Sequence, residues 1–289
     1  MKFMQLVADL HCHSRHSDGT LDVGDLFALA ASRGVRLIAL TDHDELSGLP
    51  SARQSAAQHQ LTMVSGVEIS TSWAGKSVHV IGLRIDDTHT GMVEALRKVR
   101  AERGRRANKM DEAFAAAGIP GVLDGARCYA PNRDLISRTH FARHLVDRGI
   151  CSGVNEVFTR FMKPGKPGYV PHAWMPMADA IELIHAAGGR AVLAHPARFD
   201  ADATVGPEAL VKAFATAGGD ALEVVCAAHR PPEWAQYGAL ARKYGLLAST
   251  GSDFHSPTES RVKFGDLPLL SPSLTPVWHD WPEAKVLNA

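Results

Sequence analysis

Short apolar runs of strand length alternate along the chain with segments whose apolar residues recur at helical spacing. The strand candidates are 3–9, 35–41 (VRLIALT), 61–68 (LTMVSGVE), 78–85 (VHVIGLRI), 190–195 (RAVLAH), 221–226 (ALEVVC) and 246–251 (LLASTG). Helical spacing covers 22–33, 51–59, 176–187, 205–217 and 231–244, several closed by glycine, as in AASRG, IHAAGG and ATAGG. Glycine accepts the left-handed conformation that ends a helix. Such alternation predicts a mostly parallel sheet closed into a barrel, with its chemistry at the carboxyl ends of the strands. One connection departs from the scheme. Only ISTSWAGKS separates the third and fourth strands, too little for a helical crossover, so these two are expected to form an antiparallel hairpin.

From about 88 to 172 the alternation gives way to helical pattern alone: a long helix over MVEALRKVRAERGRRANKMDEAFAAAG, then THFARHLVDRG and VNEVFTRFM, with KPGKPGYVP leading back to the barrel. We read 1–87 and 173–289 as the barrel and 88–172 as an inserted helical lid or substrate subdomain. Charge supports the division. The chain as a whole is neutral, with 31 Lys+Arg against 31 Asp+Glu. Residues 97–166, however, hold 15 basic and 7 acidic side chains, a surplus of eight that the remainder must balance with eight net negatives. A basic module facing an anionic partner, beside an acidic body able to hold cations, is the reading.

At 289 residues with 45% hydrophobic content the chain suits one large globular α/β unit. It shows neither a signal-peptide pattern nor a run long enough to span a bilayer, which leads us to expect a cytoplasmic location. Cys12, Cys128, Cys151 and Cys226 form no CxxC pair and read as reduced thiols, Cys12 as a small buried residue facing away from its neighbours.

The strand ends carry the chemistry. After strand one come His11, His13 and Asp18; after strand two, TDHD supplies Asp42 and His43; strand three ends in Glu68. Strand four begins with His79, strand five ends at AHP with His195, and the last strand runs into GSDFH with Asp253 and His255. In the antiparallel hairpin, the start of strand four lies beside the end of strand three, so His79 joins Glu68. Even with Asp42 set aside, nine imidazoles and carboxylates on one rim exceed what one ion needs, and two or three divalent metals are implied, with Zn²⁺, Mn²⁺ and Fe²⁺ all suited to these donors. His11 and His13, two apart on an extended segment, project to one side and can grip one ion. Asp42 is read either as a further donor or as the acceptor that orients a ligand histidine.

DLHCHSRHSDG, TDHD, Glu68, His79, AHP and GSDFH, in this order from residue 9 to 255, resemble the successive motifs of the PHP (polymerase and histidinol phosphatase) family. The resemblance implies a distorted (β/α)7 barrel with an inserted helical subdomain and a trinuclear centre, Mn²⁺ first among the candidate ions. By position, His11, His13, Glu68 and Asp253 would hold one ion, Glu68, His79 and His195 a second, and Asp18, His43 and His255 a third. RTHFARHLVDRGI, VNEVFTRFM and GKPGYVP further resemble the stand-alone members that act as 3′,5′-nucleoside bisphosphate phosphatases, with relatives that trim short RNA from its 5′ end.

The expectation is therefore hydrolysis of the 3′-phosphate of a nucleotide substrate by metal-bound hydroxide, leaving a nucleoside 5′-monophosphate. The second phosphate would meet cations outside the cluster. Arg103 with Arg106 and Arg138, His140 with Arg143 are spaced to share helix faces, Ser137 can cap the following helix, and Arg15 lies in the first metal loop. Two alternatives stand beside this. A 5′-to-3′ exoribonuclease would use the basic insertion as a strand groove, with Tyr129, Phe141 and Tyr169 as the available stacking residues. A metal-stabilised interaction module without catalysis is the other. No membrane and no obligate protein partner are expected.

Overall fold

The computed structural model describes residues 6–199 and 205–287. Strands β1 (Ala8–Asp9), β2 (Leu37–Leu40) and β3 (Thr62–Trp73) pair in parallel, with α1 (Val23–Ser32) and α2 (Leu49–Gln58) as crossovers. Then β4 (Lys76–Leu83) runs antiparallel to β3, as the short connection requires. Helices α3 (Thr90–Ala116), α4 (Val122–Arg127), α5 (Arg138–Asp147) and α6 (Val154–Phe161) make up the insertion. The chain returns through the two-residue strand β5 (Met175–Pro176), beside β3, into α7 (Met177–Ala186), β6 (Arg190–Leu193), α8 (Pro207–Thr216), β7 (Ala221–Cys226), α9 (Pro231–Lys243) and β8 (Leu247–Gly251), and ends in α10 (Pro282–Leu287). The strand order β1-β2-β3-β4-β6-β7-β8 nearly closes, because Leu10 N–H donates to Thr250 O at 3.0 Å and Cys12 bridges to Phe254. This is the mostly parallel barrel expected from the alternation, in the distorted form that the family resemblance implied.

Several expected elements need correction. The first strand was expected over 3–9; regular pairing covers only Ala8–Asp9, although Val7 O accepts from Arg36 N–H, and 3–5 lie outside the described residues. The third strand does not stop at Glu68 but continues to Trp73, so ISTSWAGKS is mostly strand and the turn is only Ala74-Gly75. Both turn residues have positive φ, 49° and 72°, the backbone of a two-residue hairpin whose twist matches its strands. α4, the 3₁₀ turn Pro196–Arg198 and α10 were not anticipated. They are short segments with little periodicity to read.

Strand β2 is buried at every position, as expected for parallel strands covered on both faces. The insertion has a core of its own, in which Phe114 stacks near Phe141 (6.1 Å) and Phe161 (5.8 Å). Ser137 caps α5 by accepting from Thr139 N–H, while His140 Nδ1 accepts from Ser137 N–H. Polar ties fix this subdomain to the barrel rim. Arg103 donates from Nε to Asp44 Oδ2 and from Nη2 to Ser70 Oγ, both at 2.7 Å; Arg100 donates to Asp44 O; Asn132 donates to Glu45; Arg143 forks onto Glu259. Asp44 is fully buried and also accepts from Ser70 N–H and Oγ–H. Asp44→Ala would leave the Arg103 guanidinium buried and uncompensated, and urea unfolding should record a loss of about 3 kcal/mol.

Candidate metal centre

The rim built by these strand ends gathers all nine sequence-derived donors. His11 and His13 leave β1 fully buried with their Nε2 atoms 3.1 Å apart. The following loop folds so tightly that a Cβ at Gly19 would stand 2.2 Å from His13 O, which makes glycine necessary there. Glu68, fully buried on β3, is the hub. Its carboxylate lies 3.3 Å from both His11 and His13, 2.9 Å from His43 Nδ1, and 2.8 Å from His79 Nδ1 and His195 Nε2. His79 reaches Glu68 on the diagonal of the hairpin, since Glu68 pairs with Ile81 and Ser70 with His79. Asp253 Oδ1 lies 3.5 Å from His11 and 3.3 Å from His13, while His255 Nε2 approaches Asp18 at 3.3 Å. His195 and Asp253 both hold positive φ, 27° and 50°. Such sparsely populated backbone costs energy and clusters at functional sites.

The donors fall into four overlapping groups: His13, Asp18, His43 and His255; His11, Glu68 and His195; His11, His13 and Asp253; and His43, Glu68 and His79. Within each, the donor atoms lie within 4.8 Å of one another. Asp18 Oδ1, His43 Nδ1, Glu68 Oε2 and both oxygens of Asp253 are buried without a well-formed hydrogen bond; they meet other members of the cluster and, at Asp253 Oδ2, the Arg198 guanidinium. Buried polar atoms normally make good hydrogen bonds, and carboxylate and imidazole atoms that converge on one space without doing so fit divalent cations.

Charge gives the same picture. Burial alone would raise Glu68, but His43, His11 and His79 outweigh it and hold its carboxyl well below the usual range. Asp253 likewise stays ionised against burial through Arg198, then His11 and His255, and Asp18 through His255 and His43. Burial opposes charge on His13, yet Asp253 and Glu68 push it up to about 9, and Glu223, Glu68 and Asp253 raise His11 well above its ordinary value. The carboxylates around them thus favour a bound proton on each ring when no metal is present. A cation that takes their nitrogens must displace those protons, so metal loading in weak buffer should release acid, which an indicator dye records; loading without proton release would contradict this arrangement.

The remaining sequence-derived residues divide. Asp42 does not touch a histidine: its oxygens are filled by Ser14 N–H (2.8 Å), Ser14 Oγ (2.6 Å) and Ser17 Oγ (2.5 Å), so it braces the loop that carries His13 and Asp18. Arg143 is spent on Glu259, 116 residues away, rather than left for an anion. Arg15 is half exposed beside Asp22 at 3.5 Å. Arg103 and Arg106 do share a face, both lying over the Trp174 ring at 5.2 and 5.7 Å. Arg106 Nε is buried without a partner, as is His140 Nε2. Burial, then Arg138 and Arg103, lower the Arg106 guanidinium to about 9; burial and Arg103 lower Arg138. Phe141 is fully buried and Tyr129 donates to Asp147, which leaves Tyr169 of the three stacking candidates. Cys12 faces away from the cluster and donates to Ala39 O, and none of the four cysteines is paired.

Three residues were missed. Glu223 on β7 accepts from His11 Nδ1 and from His195 N–H; Arg198 places Nη2 2.5 Å from Asp253 Oδ2; Asp44 anchors the insertion. Glu223 carried a signal, being the one charged residue in ALEVVC.

The model of the PHP domain matches residues 9–112. A 3′,5′-nucleoside bisphosphate phosphatase from Chromobacterium violaceum is 43% identical over 280 residues, 97% of this chain and 98% of that protein. The chain belongs to the PHP family. A second relative, the 5′-3′ exoribonuclease Rnm of Escherichia coli, is 40% identical over 278 residues, covering 96% of this chain and 94% of its own. Among solved structures, an amidohydrolase from Chromobacterium violaceum with bound sulfate and no metal superposes with a TM-score of 0.89 at 43% identity, covering 94% of each chain. As a PHP phosphoesterase the chain places its motif residues on the rim described above, and among the described residues no helix is long and apolar enough to cross a membrane.

Proposed function

We propose that the chain is a phosphatase that removes the 3′-phosphate of nucleoside 3′,5′-bisphosphates and leaves the 5′-monophosphate. The observation that carries this reading is the convergence of buried donors on Glu68 and Asp253, together with two guanidiniums, Arg106 and Arg138, that form no carboxylate ion pair among the described residues. His11, His13, Glu68 and Asp253 would hold one ion; Glu68, His79 and His195 a second; Asp18, His43 and His255 a third. Two or three divalent ions are expected, Mn²⁺ first. Such ions supply charge neutralisation at phosphoryl oxygens and lower the pKa of water towards 7.

The chain's own residues do the rest. Arg198, exposed at its outer end and tied to Asp253, fixes that carboxylate's orientation. Arg106 and Arg138, held by α3 and α5, receive the phosphate that is not cleaved, with His140 Nε2 beside them and Arg103 braced by Asp44. Bidentate guanidinium contacts orient as well as attract. Residues 88–172 thus serve as the substrate subdomain over the barrel formed by 1–87 and 173–289. The names carried by the 43% and 40% identical relatives support a bisphosphate or a short 5′-phosphorylated RNA as substrate. With Phe141 buried and Tyr129 engaged, the insertion offers little for stacking successive bases, which favours the small substrate.

Selectivity tests the choice. Mn²⁺-loaded protein should turn over adenosine 3′,5′-bisphosphate with a kcat/KM at least tenfold above that for 5′-phosphorylated oligoribonucleotides of two to five residues. A reversed ratio would make the chain an exoribonuclease acting through the same cluster.

A further inference from the structure

Glu223 is a fully buried carboxylate in the middle of a strand that is otherwise apolar, and among the described residues no Lys or Arg forms an ion pair with it. Burying such a group without a cation costs several kcal/mol unless its oxygens are well used. Both are. Oε1 lies 3.0 Å from His11 Nδ1, and Oε2 accepts from the backbone N–H of His195 at 2.6 Å. The strand breaks register between Glu223 and Val225, an irregularity of the kind that re-aims a side chain. Gly251 on the neighbouring strand leaves the room: a Cβ there would stand 2.8 Å from Glu223 Oε1 and 2.2 Å from His11 Cβ.

We propose that Glu223 is a positioning residue for metal retention, locking the tautomer of His11 and the backbone of His195 in one contact. A carboxylate accepts and never donates, so His11 must carry its proton on Nδ1. Its Nε2 lone pair is then directed at the space shared with His13, Glu68 and Asp253, 3.1, 3.3 and 3.5 Å away. The second oxygen secures His195, whose φ of 27° is unfavourable for a residue with a side chain. Two donors from strands β1 and β6 are thus held by one group on β7. The inference rests on the metal-centre reading above, and it concerns a residue, Glu223, outside the nine donors.

Glu223→Gln discriminates sharply because it preserves shape. An amide must present its NH₂ to one of the two N–H groups that the carboxylate satisfied. Turned towards His11, it shifts the proton to Nε2 and blocks the atom that faces the cluster; turned towards His195, it releases that turn. The test is chelator competition on Mn²⁺-loaded protein, with bound metal counted by elemental analysis and the metal-free fold monitored by far-UV circular dichroism. We expect Glu223→Gln to weaken retention of at least one ion by about 10–100-fold while the metal-free spectrum matches the parent. Glu223→Asp, which keeps the charge but withdraws it by one methylene, should fall between the two. Affinities within twofold of the parent for every ion would overturn the inference and leave the metal centre standing; a parent that retains no metal would instead refute the centre itself. Failure of both variants to fold would also overturn it, assigning Glu223 to the core alone.

Discussion

Glu68→Gln lowers kcat by about a thousandfold or more and leaves the protein short of metal after dialysis. The magnitude follows from position. Metal ions contribute several kcal/mol to stabilising charge in phosphoryl transfer, and each 1.36 kcal/mol is a factor of ten in rate. Five histidines direct ring nitrogens at this one carboxylate within 3.3 Å, and among the described residues no other side chain at the rim is so shared. A glutamine keeps the volume but offers neutral oxygen on one side and an N–H donor on the other, so at least one of those nitrogens loses an acceptor. Stopped assays with elemental analysis of the dialysed variant check both parts. Full metal content together with parental kcat would remove Glu68 from the centre.

The second large effect is expected at the opposite end of the substrate. Arg106→Ala and Arg138→Ala should each raise KM for the bisphosphate by about ten- to a hundredfold, the range set by 1.5–3 kcal/mol for a hydrogen bond to a charged group. Among the described residues neither guanidinium forms an ion pair with a carboxylate, and each is held near the other and near Arg103, an arrangement that costs energy until an anion arrives. Arg143→Ala is the informative contrast. Its fork is filled by Glu259, so its loss should appear chiefly in stability, with KM changed by less than about threefold on the scale of a part-exposed ion pair. Steady-state kinetics with the substrate at several ionic strengths separate the two cases, since the anion-binding effect should weaken as salt rises.

The rim was legible in the sequence because barrel geometry delivers strand ends to one place and polar residues there have few structural excuses. His11, His13, Glu68, His195 and Asp253 could be aligned by counting strands, and His79 followed from the short connection to its neighbour. Partners distant in sequence were the part that could not be read. Arg143 looked free because Glu259 lies in a loop after the last strand, and Asp42 looked like a histidine's acceptor because nothing in TDHD announces that Ser14 and Ser17 fold back onto it. Asp44, next to the candidate donor His43, belongs to the seam with the insertion instead. Glu223 lay within reach of sequence reasoning, as a charge inside an apolar strand, but apolar periodicity draws attention away from the one residue that breaks it.

Phosphorus NMR of adenosine 3′,5′-bisphosphate incubated with Mn²⁺-loaded protein, and quenched with chelator before acquisition, tests the central claim most directly. The account predicts loss of the 3′-phosphate resonance, growth of inorganic phosphate and an unchanged 5′-phosphate signal, all absent with Asp253→Ala. Persistence of both ester resonances, with a 5′-phosphorylated oligoribonucleotide also intact under the same conditions, would contradict it.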